Sequence, residues 1–225
     1  MKVILFGKYN RNHIDFLKKN KINIVKTKGD FVIVFGGDGS LMQAELKHPF
    51  IPKVAVRQSR VCKKCLPFPF EEIVNRLINK KYQIENLYKL DAVYKNRIIT
   101  GINDVVIHNS DPRHALRYIV KINKIDFYGE IIGDGIVAST IFGASGYFRS
   151  ITDSVFYVGI GIAFNNSTEA TDHLVINEND IIDVEIKRGP AQIYADNNLK
   201  MLTVKEGDRL SIKKSEEIFR LVKMI

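Results

Sequence analysis

With 225 residues, 45% of them hydrophobic and only 6 prolines, the chain can bury a sizeable core, which excludes a disordered or fibrous protein. No apolar run approaches the ~18 residues of a membrane-spanning helix, and the start MKVILFGKYNRNH passes from a short apolar run into polar residues without the apolar stretch of a secretory leader. A soluble, cytoplasmic protein with no membrane partner is therefore expected. The net charge of +9 is unevenly spread, with 17 Lys and Arg against 6 acids in residues 1–83 and 17 against 19 in residues 84–225. Such a basic segment attracts polyanions, phosphorylated small molecules among them, but no nucleic-acid-binding pattern accompanies it, so no specific nucleic-acid partner is expected.

Along the first part, strand-like and helical runs alternate: Val3 to Phe6, the amphipathic HIDFLKKN, Phe31 to Phe35, the segment after Ser40, Lys53 to Val56, and EEIVNRLINKKY with Ile73, Leu77 and Ile78 on one face. This predicts an α/β domain over residues 1–84, a small parallel sheet with helices. From 85 to 225 the pattern changes to short runs of alternating apolar and polar residues, such as YKLDAVY, RYIVKINKIDFYGEI and KMLTVKEGDRLSIKK, separated by turn-like KNR, DNN and EGD. A mostly β domain is predicted there, with DPRHALRY as the exception, read as a short helix.

The stretch FVIVFGGDGSLMQAEL, residues 31 to 46, carries the strongest chemical signal. Phe31 to Phe35 is apolar throughout, as in a strand buried on both faces, and ligands of α/β layers gather at the carboxyl ends of such strands. Gly36, Gly37 and Gly39 lack side chains, so backbone N–H groups can approach a phosphate. Ser40 and Gln43 fit a capping box, which predicts a helix starting at Leu41 and stopped by Pro49. Asp38 repels an anion there, so it reads either as a simple helix cap or as a group needed for chemistry, accepting a hydroxyl proton or holding a divalent cation.

GGDGS after a buried strand resembles the motif shared by NAD kinases, lipid kinases and 6-phosphofructokinases. GINDVVIH (101–108) and GDGIVASTIFGASGYFRS (133–150) resemble two further NAD kinase segments, so the chain is identified as similar to the NAD kinase family, as a divergent short member. The resemblance implies phosphoryl transfer from ATP or polyphosphate to the 2′-hydroxyl of NAD, giving NADP, with Mg2+ and in a homodimer or homotetramer. It implies Asp38 as the general base, Gly36, Gly37, Gly39 and Ser40 at the phosphates with Arg57 in the adjoining loop, and Asn103, Asp104, Thr140, Ser145, Gly146, Tyr147 and Ser150 at the dinucleotide.

The departures from the family bear on substrate. Asp104 stands where the family has Glu; RQSRVCKKC, with Arg57, Arg60, Lys63 and Lys64, replaces an Asn-Thr-Gly loop; Phe142 replaces a hydroxyl expected to face the nucleotide; Asp196-Asn197 is a weak match to a late Asp-Gly. Two alternatives stay open, a relative that has lost catalysis and binds a dinucleotide as sensor or scaffold, and a lipid kinase of the diacylglycerol type. Bland readings accompany the motifs: an Asx-turn at Asn103-Asp104, a hairpin turn at Asp134, and structural roles for His48, His108 and His173. Cys62 and Cys65 form one C-x-x-C, half of a four-ligand zinc site and too little for a disulfide framework, so they read as two incidental reduced thiols and no metal-binding residues are assigned.

Overall fold

The computed structural model describes residues 1–58, 62–168 and 173–225, so Arg60 lies outside the described residues. The elements run β1 (Lys2–Gly7), α1 (Arg11–Lys19), β2 (Asn23–Ile24), β3 (Phe31–Gly36), α2 (Asp38–Lys47), β4 (Lys53–Arg57), α3 (Phe70–Ile78), β5 (Tyr82–Tyr94), β6 (Arg97–Gly101), β7 (Asp104–Asn109), β8 (Leu116–Ile122), β9 (Ile125–Gly133), β10 (Gly135–Ser139), α4 (Tyr147–Thr152), β11 (Ile160–Asn165), β12 (His173–Ile176), β13 (Ile182–Arg188), β14 (Ala191–Ala195), β15 (Leu202–Val204) and β16 (Arg209–Met224). The chain divides into two compact units, Met1–Leu87 with Ile218–Ile225, and Tyr88–Glu217. Among the described residues no helix is long and apolar enough to cross a membrane.

In the first unit, strands are ordered β2-β1-β3-β4 and finish with the end of β16, where Leu221 pairs with Lys53, and all of these pairings are parallel. Every residue of β3 from Phe31 to Phe35 is buried, as expected of a strand covered on both faces. Helices α1 and α3 lay Leu17, Phe70, Ile73, Val74 and Leu77 against Val3, Ile33, Phe35, Val54 and Val56 to make the core. Asn10 caps α1 through a box with His13, whose ring packs 4.6 Å from that of Phe35.

In the second unit, one six-stranded antiparallel sheet is ordered β12-β11-β10-β7-β14-β15, and β13 joins β16 to β8, which pairs with β9. Alternation decides the burial of β7. Val105 and Ile107 enter the main core with Ile136, Ala138, Ile162 and Ile193, while Val106 faces the other way into a cluster with Val137, Ala144, Phe148, Phe156 and Ala163. The helix α4, which periodicity did not reveal, supplies Phe148 to this cluster.

Three local expectations are corrected. The helix after the glycine loop begins at Asp38, with Gly37 as its N-cap and no side-chain cap, so Ser40 lies inside the first turn. DPRHALRY forms a turn leading directly into β8. Asp134 is not in a hairpin, because β9 pairs with β8 whereas β10 pairs with β7 and β11. It stands where the chain leaves one sheet for the other, held by Asn109 Nδ2 (3.1 Å) and Asn166 Nδ2 (2.6 Å) on its two oxygens.

Candidate active site

In the first unit the glycine loop leaves β3 at its carboxyl end and becomes the first turn of α2, where Asp38 occupies the opening position and is partly buried. The Gly37 carbonyl accepts from the N–H groups of Ser40 (3.0 Å) and Leu41 (3.2 Å), which winds the turn tightly. The positive end of α2 thus favours an anion arriving at this spot. Gly36 is required by packing, since a Cβ there would fall 2.7 Å from the Cβ of Ser40.

The loop carrying the two cysteines lies directly against this turn. Cys62 and Cys65 are joined as a disulfide, which corrects the reading of two reduced thiols. The Sγ of Cys62 lies 3.2 Å from Oδ1 of Asp38, and the Sγ of Cys65 lies 3.4 Å from the Gly36 carbonyl oxygen. Arg57, at the end of β4, turns its guanidinium onto the Cys62 carbonyl (3.0 Å) and so braces this loop. Burial lowers the Lys64 ammonium pKa, an effect opposed by the nearby charge of Asp38. Lys63 is exposed.

In the second unit, Asp196 organises the Asn103 turn. Its carboxylate accepts the backbone N–H groups of Ile102 (2.8 Å), Asn103 (2.8 Å) and Asp104 (3.3 Å). Burial raises its pKa, and the three donors pull it back toward the ionised form. Thr140 secures the turn from the opposite side, donating its hydroxyl to the Ile102 carbonyl (2.6 Å) and accepting from the Gly143 N–H (3.1 Å). The backbone N–H of Thr140 also donates to the Asn103 carbonyl (2.8 Å). The buried hydroxyl of Thr140 is therefore spent on shaping the loop.

Asp104 is buried, and its pKa is pushed up to about 7, first by loss of hydration and then by the charge of Asp196. It faces two phenols: burial, with Asp104 contributing, raises the pKa of Tyr147, and Tyr194 is pushed up to about 12. Asn165 links Tyr147 to His108, donating to the phenolic oxygen (3.3 Å) and to Nε2 of the imidazole (3.2 Å). Nδ1 of His108 then carries the proton donated to the Asn109 carbonyl (3.2 Å). Gly143 packs against the backbone of Asn103, and Ser145, Gly146 and Ser150 line the approach to and the first turn of α4, with Ser150 Oγ donating to the Tyr147 carbonyl (2.7 Å). Phe142 is 5% exposed, so its ring fills the interior.

The expected residues thus fall into two groups, Gly36, Gly37, Asp38, Gly39, Ser40 and Arg57 in the first unit and Asn103, Asp104, Thr140, Ser145, Gly146, Tyr147 and Ser150 in the second. Asp196 was legible as no more than a weak motif match, and the contact of Asp38 with the C-x-x-C loop had no local signal. Tyr194 and Asn165 were likewise missed, because nothing near them in sequence distinguishes them from ordinary strand residues.

The fold, a glycine-aspartate loop at the carboxyl end of a parallel strand followed by a mostly β unit, is shared with solved NAD kinase structures. The chain superposes over its whole length on an NAD kinase from Archaeoglobus fulgidus in complex with ATP, with a TM-score of 0.83, 17% identity and 94% of that chain covered. It superposes likewise on yeast NADH kinase complexed with NADH, with a TM-score of 0.85, 13% identity and 84% of that chain covered. A curated NAD kinase of Saccharolobus islandicus (strain M.14.25 / Kamchatka #1) is 32% identical over 139 residues, 60% of this chain; the match spans about half, 53%, of the relative. No protein-family model matches the chain. In sequence over that stretch and in fold over its whole length, the chain is similar to NAD kinases.

Proposed function

We propose that the protein transfers a phosphoryl group from ATP to the 2′-hydroxyl of NAD or NADH, with polyphosphate as the other candidate donor. The observation that carries this reading is the position of Asp38, a carboxylate among glycines at the carboxyl end of a buried parallel strand and at the positive end of a helix. An acid there repels the phosphate that such a turn would bind, which supports a part for Asp38 in the chemistry. Likeness to folds crystallised with ATP and with NADH supports the two substrates.

In this reading Asp38 accepts the proton of the attacking hydroxyl, and Gly36, Gly37, Gly39 and Ser40 line the phosphate approach. Asn103, Asp104, Ser145, Gly146, Tyr147 and Ser150 hold the dinucleotide, while Thr140 and Arg57 support the loops. Asp104, with a pKa close to neutrality, can accept or donate a hydrogen bond to a ribose hydroxyl. One partly exposed carboxylate suits Mg2+, which is commonly bound by one or two carboxylates together with substrate phosphates. When bound, the ion neutralises phosphate charge. Assembly as a homodimer or homotetramer belongs to the same reading.

The test is NADP or NADPH formation by the purified protein with ATP or polyphosphate and Mg2+, beside Asp38→Asn. Turnover that falls roughly 10²–10⁴-fold in the variant supports Asp38 as base. Equal turnover in both proteins sinks that role. Dinucleotide binding by calorimetry without turnover in either protein favours the second reading, a binding protein that has lost catalysis, for which the close contact of the Cys62 sulfur with Asp38 speaks.

A further inference from the structure

The C-x-x-C segment is unexplained by phosphoryl transfer, and its position is specific. The Sγ atoms of Cys62 and Cys65 and a carboxylate oxygen of Asp38 all lie within 4.8 Å of one another. Both cysteines are buried, at 4% and 8% exposure, while Asp38 is partly exposed, so the trio opens to solvent on the side of the carboxylate. The supporting backbone is fixed at both ends. Arg57 holds the Cys62 carbonyl, Leu66 N–H donates to Ala55 O at 2.9 Å, and Asp38 is wound into the first turn of α2.

We propose that Cys62, Cys65 and Asp38 form a two-sulfur, one-oxygen site for a borderline-soft divalent cation, Zn2+ in the first instance, when the disulfide is reduced. Two thiolates with two residues between them chelate one ion, and ligands bound tetrahedrally to Zn2+ at its usual radii stand about 3.5–3.8 Å apart, which small side-chain rotations reach from the present spacing. The fourth position faces the open side and takes water. Three anionic donors outweigh the neighbouring Arg57 and Lys64, and thiolate sulfur selects Zn2+ over the harder Mg2+ that one carboxylate would otherwise attract. Opening the site consumes two electrons and two protons: a dithiol reductant attacks the disulfide, its second sulfur releases the mixed disulfide, and the products are two cysteine thiols and the oxidised reductant. Metal binding then expels the two thiol protons.

The site is distinct from the phosphoryl-transfer reading, although both claim Asp38, and absorption spectroscopy tests it without reference to turnover. Protein reduced and stripped with chelator, with two free thiols verified by thiol titration, is titrated with Co2+ and then with Zn2+. The expected result is one Co2+ per chain with a sulfur-to-metal charge-transfer band that Zn2+ abolishes. Cys62→Ser and Cys65→Ser should each weaken binding by at least roughly tenfold and diminish the band, and Asp38→Asn should weaken it by roughly tenfold with the band retained. Oxidised wild-type protein, identical in sequence and fold, should show no band, which guards against misfolded variants. A reduced wild type without a charge-transfer band overturns the site, as does undiminished Co2+ affinity in either cysteine variant or in Asp38→Asn.

Discussion

The backbone N–H of Asn103 donates to Oδ1 of Asp196 at 2.8 Å across 93 residues of sequence. The same carboxylate holds the N–H groups of Ile102 and Asp104, so a single late side chain sets the shape of the whole Asn103 turn. Asp196→Ala strands these donors, each at about 1–3 kcal/mol if buried without replacement. Urea unfolding should show a loss of roughly 2–4 kcal/mol, with Asp196→Asn, which keeps one acceptor oxygen, losing visibly less. Equal stability of all three proteins would show that the turn holds itself.

Asp104 lends a pH dependence to stability. Its pKa in the folded protein is about 7, above the ordinary 3.8, because burial and Asp196 disfavour the charge. An acid with a raised folded pKa ionises first in the unfolded chain, so its contribution favours the folded state at low pH. That advantage declines as pH rises from about 4 to about 7 and is flat above. Asp104→Asn removes the penalty. Its melting temperature relative to wild type should therefore climb between pH 4 and pH 7 and then level, and a difference independent of pH would contradict the shifted titration.

Lys53 is 0% exposed in the first unit, and its ammonium is bonded to the Glu45 carboxylate and to the carbonyls of His48 (2.6 Å) and Ile51 (2.7 Å). Removing one partner leaves a buried charge. Lys53→Met should cost about 3–5 kcal/mol, and adding Glu45→Leu should recover much of the loss. Thermal melts of the two single variants and the double variant read the coupling directly, and additive losses would mean that the pair does not act as a unit.

Gly143 sits where a Cβ would lie 2.7 Å from the Cα of Asn103 and closer still to its carbonyl. Backbone cannot rotate aside as a side chain can, so Gly143→Ala has to displace the turn. A destabilisation of about 1–3 kcal/mol is expected, together with weaker binding of NADH in calorimetry if the turn serves the dinucleotide. Normal affinity in a folded Gly143→Ala protein would argue against Asn103 as a contact.

The sequence by itself determined the α/β-then-β layout, the buried strand Phe31 to Phe35 and the glycine-aspartate loop, because each rests on residues a few positions apart whose periodicity or backbone freedom acts locally. Even there it misplaced the helix start: Ser40 and Gln43 satisfied a capping pattern, yet the chain began winding at Asp38 once Gly37 could serve as the cap. Tertiary structure alone decided which distant groups meet. The return of β16 to pair Leu221 with Lys53, the grip of Asp196 on residues 102–104, and the seating of Cys62 against Asp38 are pairings over 24 residues or more that leave no periodic trace. They arise when the whole chain buries its apolar faces, and burial is also what moves the Asp104 pKa to about 7, a property that no reading of neighbouring residues contains.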